Sequence, residues 1–400
     1  MRLKSKDVFV ETRGQGKRTD AQAFYTRSTG VEKLRYVGTT MRSDTLDTME
    51  RYFSSDNGRT WSGPEQIAFI TSTPEGIRRE YAQPGFVDLS TDRLVELVLV
   101  GTLPSDDPLE GLKSWHLDYR VSTDGGRTWS VREQVIQKGD CTPEHPLDCV
   151  WIGRNSVMVG DTTCRPIRTR EGLLLFPAQI TPVGRDGQYI NPGGGYTYHE
   201  GVVLIGRWAD GDRIEWDVSE RVAIDPARST RGAIEPTLAE MPDGRILMVL
   251  RGSNDVKPEL PGYKWCSVSQ DGGRSWSPAE PWTYTDGGNF FSPSACSQLL
   301  AHSSGRYFWL GNISEENPQG NLPRYPMVFG EVDPRSMRLV RESVTVVDDR
   351  MPDEHPRTML SNFMAEEDRE SGEILLYMSR PFTRSEKDWT SDAYLYRIEI

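Results

Sequence analysis

Four hundred residues exceed one ordinary domain but fit a single large all-β domain, and a formal net charge of -12 at pH 7 with no basic run excludes a broad nucleic-acid grip. No apolar run of about 18 residues exists, so no membrane span is predicted. Aromatic residues make up 10% of the chain, bulky core material suited to a large β protein or a sugar-binding one.

The N-terminus, MRLKSKDVFVETRGQG, is basic but lacks an apolar stretch and a small-residue cleavage site. No signal peptide is expected, which places the chain in the cytoplasm, or outside the cell if a leader has been trimmed. The strand DVFVET follows. The first hairpin then reads AFYTRSTGVEKLRYVGTT, and the strand MERYF runs into SSDNGRTWS at 54–62. The same order returns as GFVDLSTDRLVELVLVGT, HLDYRV and STDGGRTWS at 122–130. The short phrase has a turn's chemistry. Asp accepts backbone N–H groups, Gly permits positive φ, Ser and Thr tie the loop, and Trp packs as an anchor.

Further along come PIRTREGLLLFPAQI and a degraded phrase, RWADGDRIEW at 207–216. EPTLAEMPDGRILMVLR precedes YKWCSV and SQDGGRSWS at 269–277. SQLLAHSSGRYFWLGN and SNFMAEEDRESGEILLYMSR complete a set of six hairpins, and the chain ends on YLYRIEI. A period of about 70 residues with four short strands each predicts propeller blades. The fold expected is an all-β, six-bladed β-propeller over residues 1–400 as one domain. Its N-terminal strand completes the last blade, because ring closure removes sheet edges.

Five cysteines, at 141, 149, 164, 266 and 296, form no disulfide framework, although Cys141 and Cys149 are close enough in sequence to bridge a local loop. Reduced thiols are expected in a cytoplasmic chain. No CxxC or HExxH pattern occurs, so no metal and no cofactor are expected.

Boxes of this form on a six-bladed propeller resemble the sialidase (neuraminidase) superfamily, whose scaffold several glycosidases and sugar lyases share. The resemblance covers nearly the whole chain as architecture. It implies a site over the central channel, where the innermost strands begin. There, three arginines clamp a sugar carboxylate, a Tyr paired with a Glu is the nucleophile, and an Asp is the acid/base. Guanidinium forks match a carboxylate, and a neutral Tyr avoids repelling an anionic substrate.

Transferred residue by residue, the resemblance nominates Glu235 as the partner of the nucleophile and Arg251 as a clamp arginine. NLPRYPMVFGEV nominates Arg324, and TTMRSDTLDTMER nominates Asp44 or Asp47 as acid/base. Two departures stand out. RTDAQAF puts Asp20 where the first arginine belongs, with Arg18 two residues away, and TMLSNFM puts Leu360 where the Tyr belongs. Inner strands aligned by their Gly turns add Arg79, Glu80, Tyr81 and Gln83 from RREYAQPG, with Tyr81 beside Glu80 as a substitute pair. Asp161 and Arg165 come from GDTTCRPI, and His355 and Arg357 from DEHPRTM. His199 follows the Gly-rich GGGYTYHEG, a loop suited to capping a site.

The expected partner is an oligosaccharide or glycoconjugate, and the leading activity is exo-hydrolysis of a terminal, acidic sugar such as sialic acid. The alternatives are a lyase or another glycosidase using His and Tyr on a uronate- or rhamnose-containing glycan, and a non-catalytic sugar-binding propeller.

Overall fold

The computed structural model describes residues 1–400 as six antiparallel sheets with only short 3-10 turns between them. Blade one is Arg18–Tyr25, Lys33–Thr40, Thr48–Ser54 and Ser62–Gln66, from the channel outwards. In blade two the inner strand is broken. Gly76–Ala82 and Phe86–Asp88 both pair with Arg93–Leu103, followed by His116–Ser122 and Val131–Gln134. Blade three is broken in the same place: Val157–Met158 and Ile167–Arg168 both pair with Leu174–Ile180, then Glu200–Trp208 and Ile214–Val218 follow.

Blade four is Ile234–Glu240, Ile246–Arg251, Lys264–Ser269 and Glu280–Pro281. Blade five is Gln298–Ala301, Tyr307–Asn312, Met327–Asp333 and Arg338–Leu339, with Thr345–Asp348 also on its third strand. Blade six is Phe363–Glu367, Ile374–Ser379 and Ala393–Glu399, and its outer strand is the N-terminal Arg2–Val10. The ring closes as expected. The sequence reason is visible in the burial. Strands such as Leu174–Ile180 and Ile246–Arg251 are buried on both faces and read as continuous apolar runs. Aromatic side chains fill the wedges between blades, as where Tyr119 and Phe176 each meet Trp216 edge-on at 5.3 Å.

The repeated phrases form the hairpins between the third and fourth strands of blades one, two and four. Their wiring is the same each time. Ser122 Oγ donates to Asp124 Oδ1 at 2.8 Å and accepts from Gly126 N at 2.8 Å. Asp124 also accepts from Thr128 N at 2.9 Å and Thr128 Oγ1 at 2.6 Å. Asp56 and Asp271 repeat this with Thr60 and Ser275. Alternation of strand direction puts these turns at the end of the propeller opposite the start of the inner strands. The degraded phrase occupies the equivalent hairpin of blade three, with Gly211 at φ 69°.

Hydrogen bonds from the Thr and Ser partners hold the Asp124 carboxyl down at about 2 against the desolvation that opposes them. A depressed carboxyl contributes stability that is complete above its unfolded value and is lost as pH falls towards 2. Asp124→Ala should therefore cost on the order of 1 kcal/mol at pH 7, as loss of a cap does. In urea titrations the gap to the parent chain should narrow as pH drops from 5 to 2.

Candidate functional site

The polar cluster lies at the mouth where the inner strands begin. Blade four enters it through a bulge: register is lost between Ile234 and Thr237, and Glu235 sits at φ 49° immediately before Pro236. A non-Gly residue in the left-handed region, ahead of proline, is strained, and such strain collects at functional positions. The bulge re-aims the side chain. A Cβ on Gly160 would approach Glu235 Cγ to 2.6 Å, so only glycine fits there. Gln179 Oε1 accepts from Glu235 N at 2.8 Å.

Arg251 ends the neighbouring strand, opposite Ile234. Its guanidinium donates to Glu235 Oε1 at 2.5 Å, Ser294 Oγ at 2.9 Å and Asn321 Oδ1 at 3.1 Å. Glu235 Oε2 is buried without a partner. Two more guanidinium groups converge here. Arg324 lies against Met359 Sδ at 3.0 Å and donates to Asn362 Oδ1 and Ser294 O at 3.4 Å, with Nε unpartnered. Arg231 donates to Thr197 Oγ1 at 2.7 Å, and its Nε is likewise unpartnered. Neither forms an ion pair with a carboxylate. Burial, with the charge of Arg251 next, lowers both to about 10, so they stay cationic at neutral pH.

Asp161 occupies the break in the inner strand of blade three. Asn362 Nδ2, from blade six, donates to its Oδ2 at 2.6 Å, and Thr163 N donates to its Oδ1 at 3.2 Å. Asn362 is itself held at φ 58°. Thr162 Oγ1 donates to Phe363 O at 2.8 Å, tying blade three to blade six across the channel. Burial, and then the charge of Glu235, push the Asp161 carboxyl up to about 6. Burial, and then Arg251, push Lys264 down to about 7, and its ammonium donates to Ala295 O.

Above this floor, Asp44 stands exposed on the loop between the second and third strands of blade one, at φ 56°. Tyr196 reaches across from the Gly-rich loop of blade three, and its hydroxyl lies 3.3 Å from Asp44 Oδ2. That loop packs closely on the segment before Glu235. A Cβ on Gly195 would meet Arg231 Cγ at 2.7 Å, and one on Gly193 would meet Thr230 O at 2.0 Å. Asp255 fastens both sides, accepting from Tyr196 N at 2.9 Å and Thr230 Oγ1 at 2.5 Å.

The structure brings Glu235, Arg251, Arg324 and Asp44 to one mouth, and Gln83 lines a small cavity beside Asp161. Other expected residues lie elsewhere. Arg18 pairs with Asp20 at 2.7 Å, so the first-blade position is internally neutralised. Tyr81 does not pair with Glu80. Alternation sends Glu80 to the opposite face, to Arg78 at 2.9 Å and to Arg132, while the Tyr81 hydroxyl accepts from Arg79. Arg79 forks onto Asp106 at 2.5 and 2.7 Å and donates to Leu46 O, and Arg42 also binds Asp106. These two arginines thus brace the loop that carries Asp44. Asp47 accepts from Met41 N at 2.9 Å, closing the same loop.

Arg165 is spent on Pro84 O and Gly85 O at 2.6 Å each, an inter-blade clamp. His355 and Arg357 lie on a rim loop, where Arg357 is exposed and 3.8 Å from Glu386. His199 is only 3% exposed with both ring nitrogens unpartnered, and burial with Arg231 and Arg251 pulls it down to about 3. Leu360 is wholly buried in the core of blades five and six. All five cysteines are free, so no Cys141–Cys149 bridge forms.

Sequence reasoning missed Arg231, Asn362 and Tyr196. Arg231 had one signal, its place four residues before Glu235, beside a Gly232 that adopts φ 69°.

Comparison with known proteins places residues 71–355 in the BNR repeat-like domain family. A sialidase from Micromonospora viridifaciens is 26% identical over 234 residues, covering 56% of this chain and 30% of that protein's length. A Dyadobacter fermentans protein of unknown function superposes with TM-score 0.61 at 15% identity, covering 100% of this chain and 99% of that one. The NanB sialidase from Streptococcus pneumoniae gives TM-score 0.60 at 12% identity, covering 100% and 71%. At such identities the structural likeness establishes the fold alone. With its family match, its six blades and its repeated boxes, the chain belongs to the BNR repeat-like domain family within the sialidase-like superfamily.

Proposed function

We propose that this protein is a glycan-acting hydrolase that removes a terminal acidic sugar. The observation that carries the reading is the set of three guanidinium groups, Arg231, Arg251 and Arg324, of which only Arg251 meets a carboxylate. Such a surplus of buried positive charge asks for an anion, and forked donors suit a sugar carboxylate. Arg231 supplies the third guanidinium, since Arg18 is neutralised by Asp20.

Acid and base are assigned by position. Asp44, at the rim beside Tyr196, protonates the departing glycosidic oxygen. Asp161, on the channel floor and oriented by Asn362, takes the proton of the attacking water. With Leu360 in the core where the superfamily's Tyr is expected, water attacks directly and the anomeric centre inverts. Elimination finds less support, because His199 is enclosed and His355 is on the rim. A binding-only propeller is favoured by Leu360 alone.

The deciding experiment is incubation with acidic and neutral aryl glycosides, followed by mass and by ultraviolet absorbance. Release of the acidic sugar without an unsaturated product supports hydrolysis. Binding without turnover selects the sugar-binding reading. Arg324→Ala and Arg251→Ala should each lower kcat/KM for the acidic substrate by about 100-fold, the scale of losing one oriented charge-stabilising group. Activity should fall below pH 6 as Asp161 takes up its proton, and Glu235→Gln should move that limb to lower pH by removing a charge that raises Asp161.

Asp161→Asn should abolish turnover yet raise Tm at pH 7. The native carboxyl is pushed up to about 6, above its unfolded value, so it costs stability that builds as pH rises from the unfolded value to about 6 and is full above that. The gain in Tm should vanish below pH 4, where both states are protonated.

A further inference from the structure

The connection from the outer strand of blade two to the inner strand of blade three, residues 135–156, carries a separate side-chain cluster. Its side chains are Cys141, His145 and Asp148, spaced Cys-x-x-x-His-x-x-Asp. One donor atom from each lies within 4.8 Å of the others, and Cys141 Sγ is 3.8 Å from Asp148 Oδ1. Tetrahedral zinc, with Zn–S of about 2.3 Å and Zn–N or Zn–O of about 2.0 Å, puts its ligand atoms roughly 3.5 Å apart. The observed spacing is within a side-chain adjustment of that.

The surroundings orient each donor. His145 Nδ1 donates to Val150 O at 2.7 Å, which leaves the ring's lone pair on Nε2, and the ring stacks on Trp151 at 4.6 Å. Gln137 Nε2 donates to Asp148 Oδ2 at 3.1 Å, and Gln137 Oε1 accepts from Asp148 N at 2.9 Å. That leaves Oδ1 towards Cys141. Reciprocal backbone bonds of 3.0 Å join Thr142 and His145. The fully buried Asn155 anchors the far end of the loop to Cys149 O and Thr181 O at 2.8 Å. Outer partners of this kind fix tautomer and direction in metal sites.

We infer that Cys141, His145 and Asp148 form a binding site for a borderline-soft divalent cation of the zinc type, which clamps the connection between blades two and three. One thiolate, one imidazole and one carboxylate favour zinc over magnesium or calcium, which prefer all-oxygen shells. Water completes the fourth position, on the side where Asp148 is exposed. The site is independent of the glycosidase reading.

The test is titration of the full-length, reduced protein with Co²⁺ and then Zn²⁺. One equivalent of Co²⁺ should produce a thiolate-to-cobalt charge-transfer band, and Zn²⁺ should bleach it. Cys141→Ser should remove the band. Asp148→Asn, an exposed and isosteric change, should weaken binding at least tenfold and cancel the Zn²⁺-dependent rise in Tm. Cys149→Ser should leave both intact. Absence of a thiolate band in the parent chain, or a band that survives Cys141→Ser, would overturn the assignment.

Discussion

Everything at the channel mouth depends on the pairing of Arg2–Val10 with Ala393–Glu399. That ladder closes blade six, and so closes the ring. A closed ring leaves only short outer edges, one per blade, and it forces six inner strands to start at one mouth. Residues as distant in sequence as Asp161 and Asn362 thereby come within hydrogen-bond reach. The polar site is a consequence of closure, not of any local motif.

Part of the backbone strain in the molecule sits where closure concentrates polar groups. Glu235, Asn362 and Asp44 all take positive φ without being glycine, and each presents a side chain to the mouth. Glycine does the complementary task. Gly160, Gly193 and Gly195 let backbones approach Glu235, Thr230 and Arg231 more closely than any Cβ would allow. Rigid sheets over-determine these conformations, which is how such strain persists.

Charge balance divides the arginines named above into two groups. Arg79, Arg165 and Arg18 have their guanidinium groups filled by Asp106, by two carbonyls and by Asp20 respectively. Arg231 and Arg324 retain unpartnered Nε groups in buried surroundings. A buried donor without an acceptor is costly, so the cluster is poised for a ligand that supplies acceptors. Asp161 and Glu235 add the opposite charge to the same floor, and burial, with the charge of Glu235 next, pushes the Asp161 carboxyl up to about 6.

The blade count, the box turns and the Glu235–Arg251 pair were legible in the sequence because each is local, and the closing strand because a six-fold repeat left the last blade one strand short. A turn needs Asp and Gly at fixed offsets, and a hairpin puts its two ends side by side. Strand alternation was legible in principle, yet it separates Tyr81 from Glu80 where adjacency in sequence suggested a pair. Only the tertiary structure decided that Arg231 joins the cluster, that Asn362 orients Asp161, and that Leu360 faces the core. These contacts join different blades, and their distances are set by ring geometry, about which no short stretch of residues carries information.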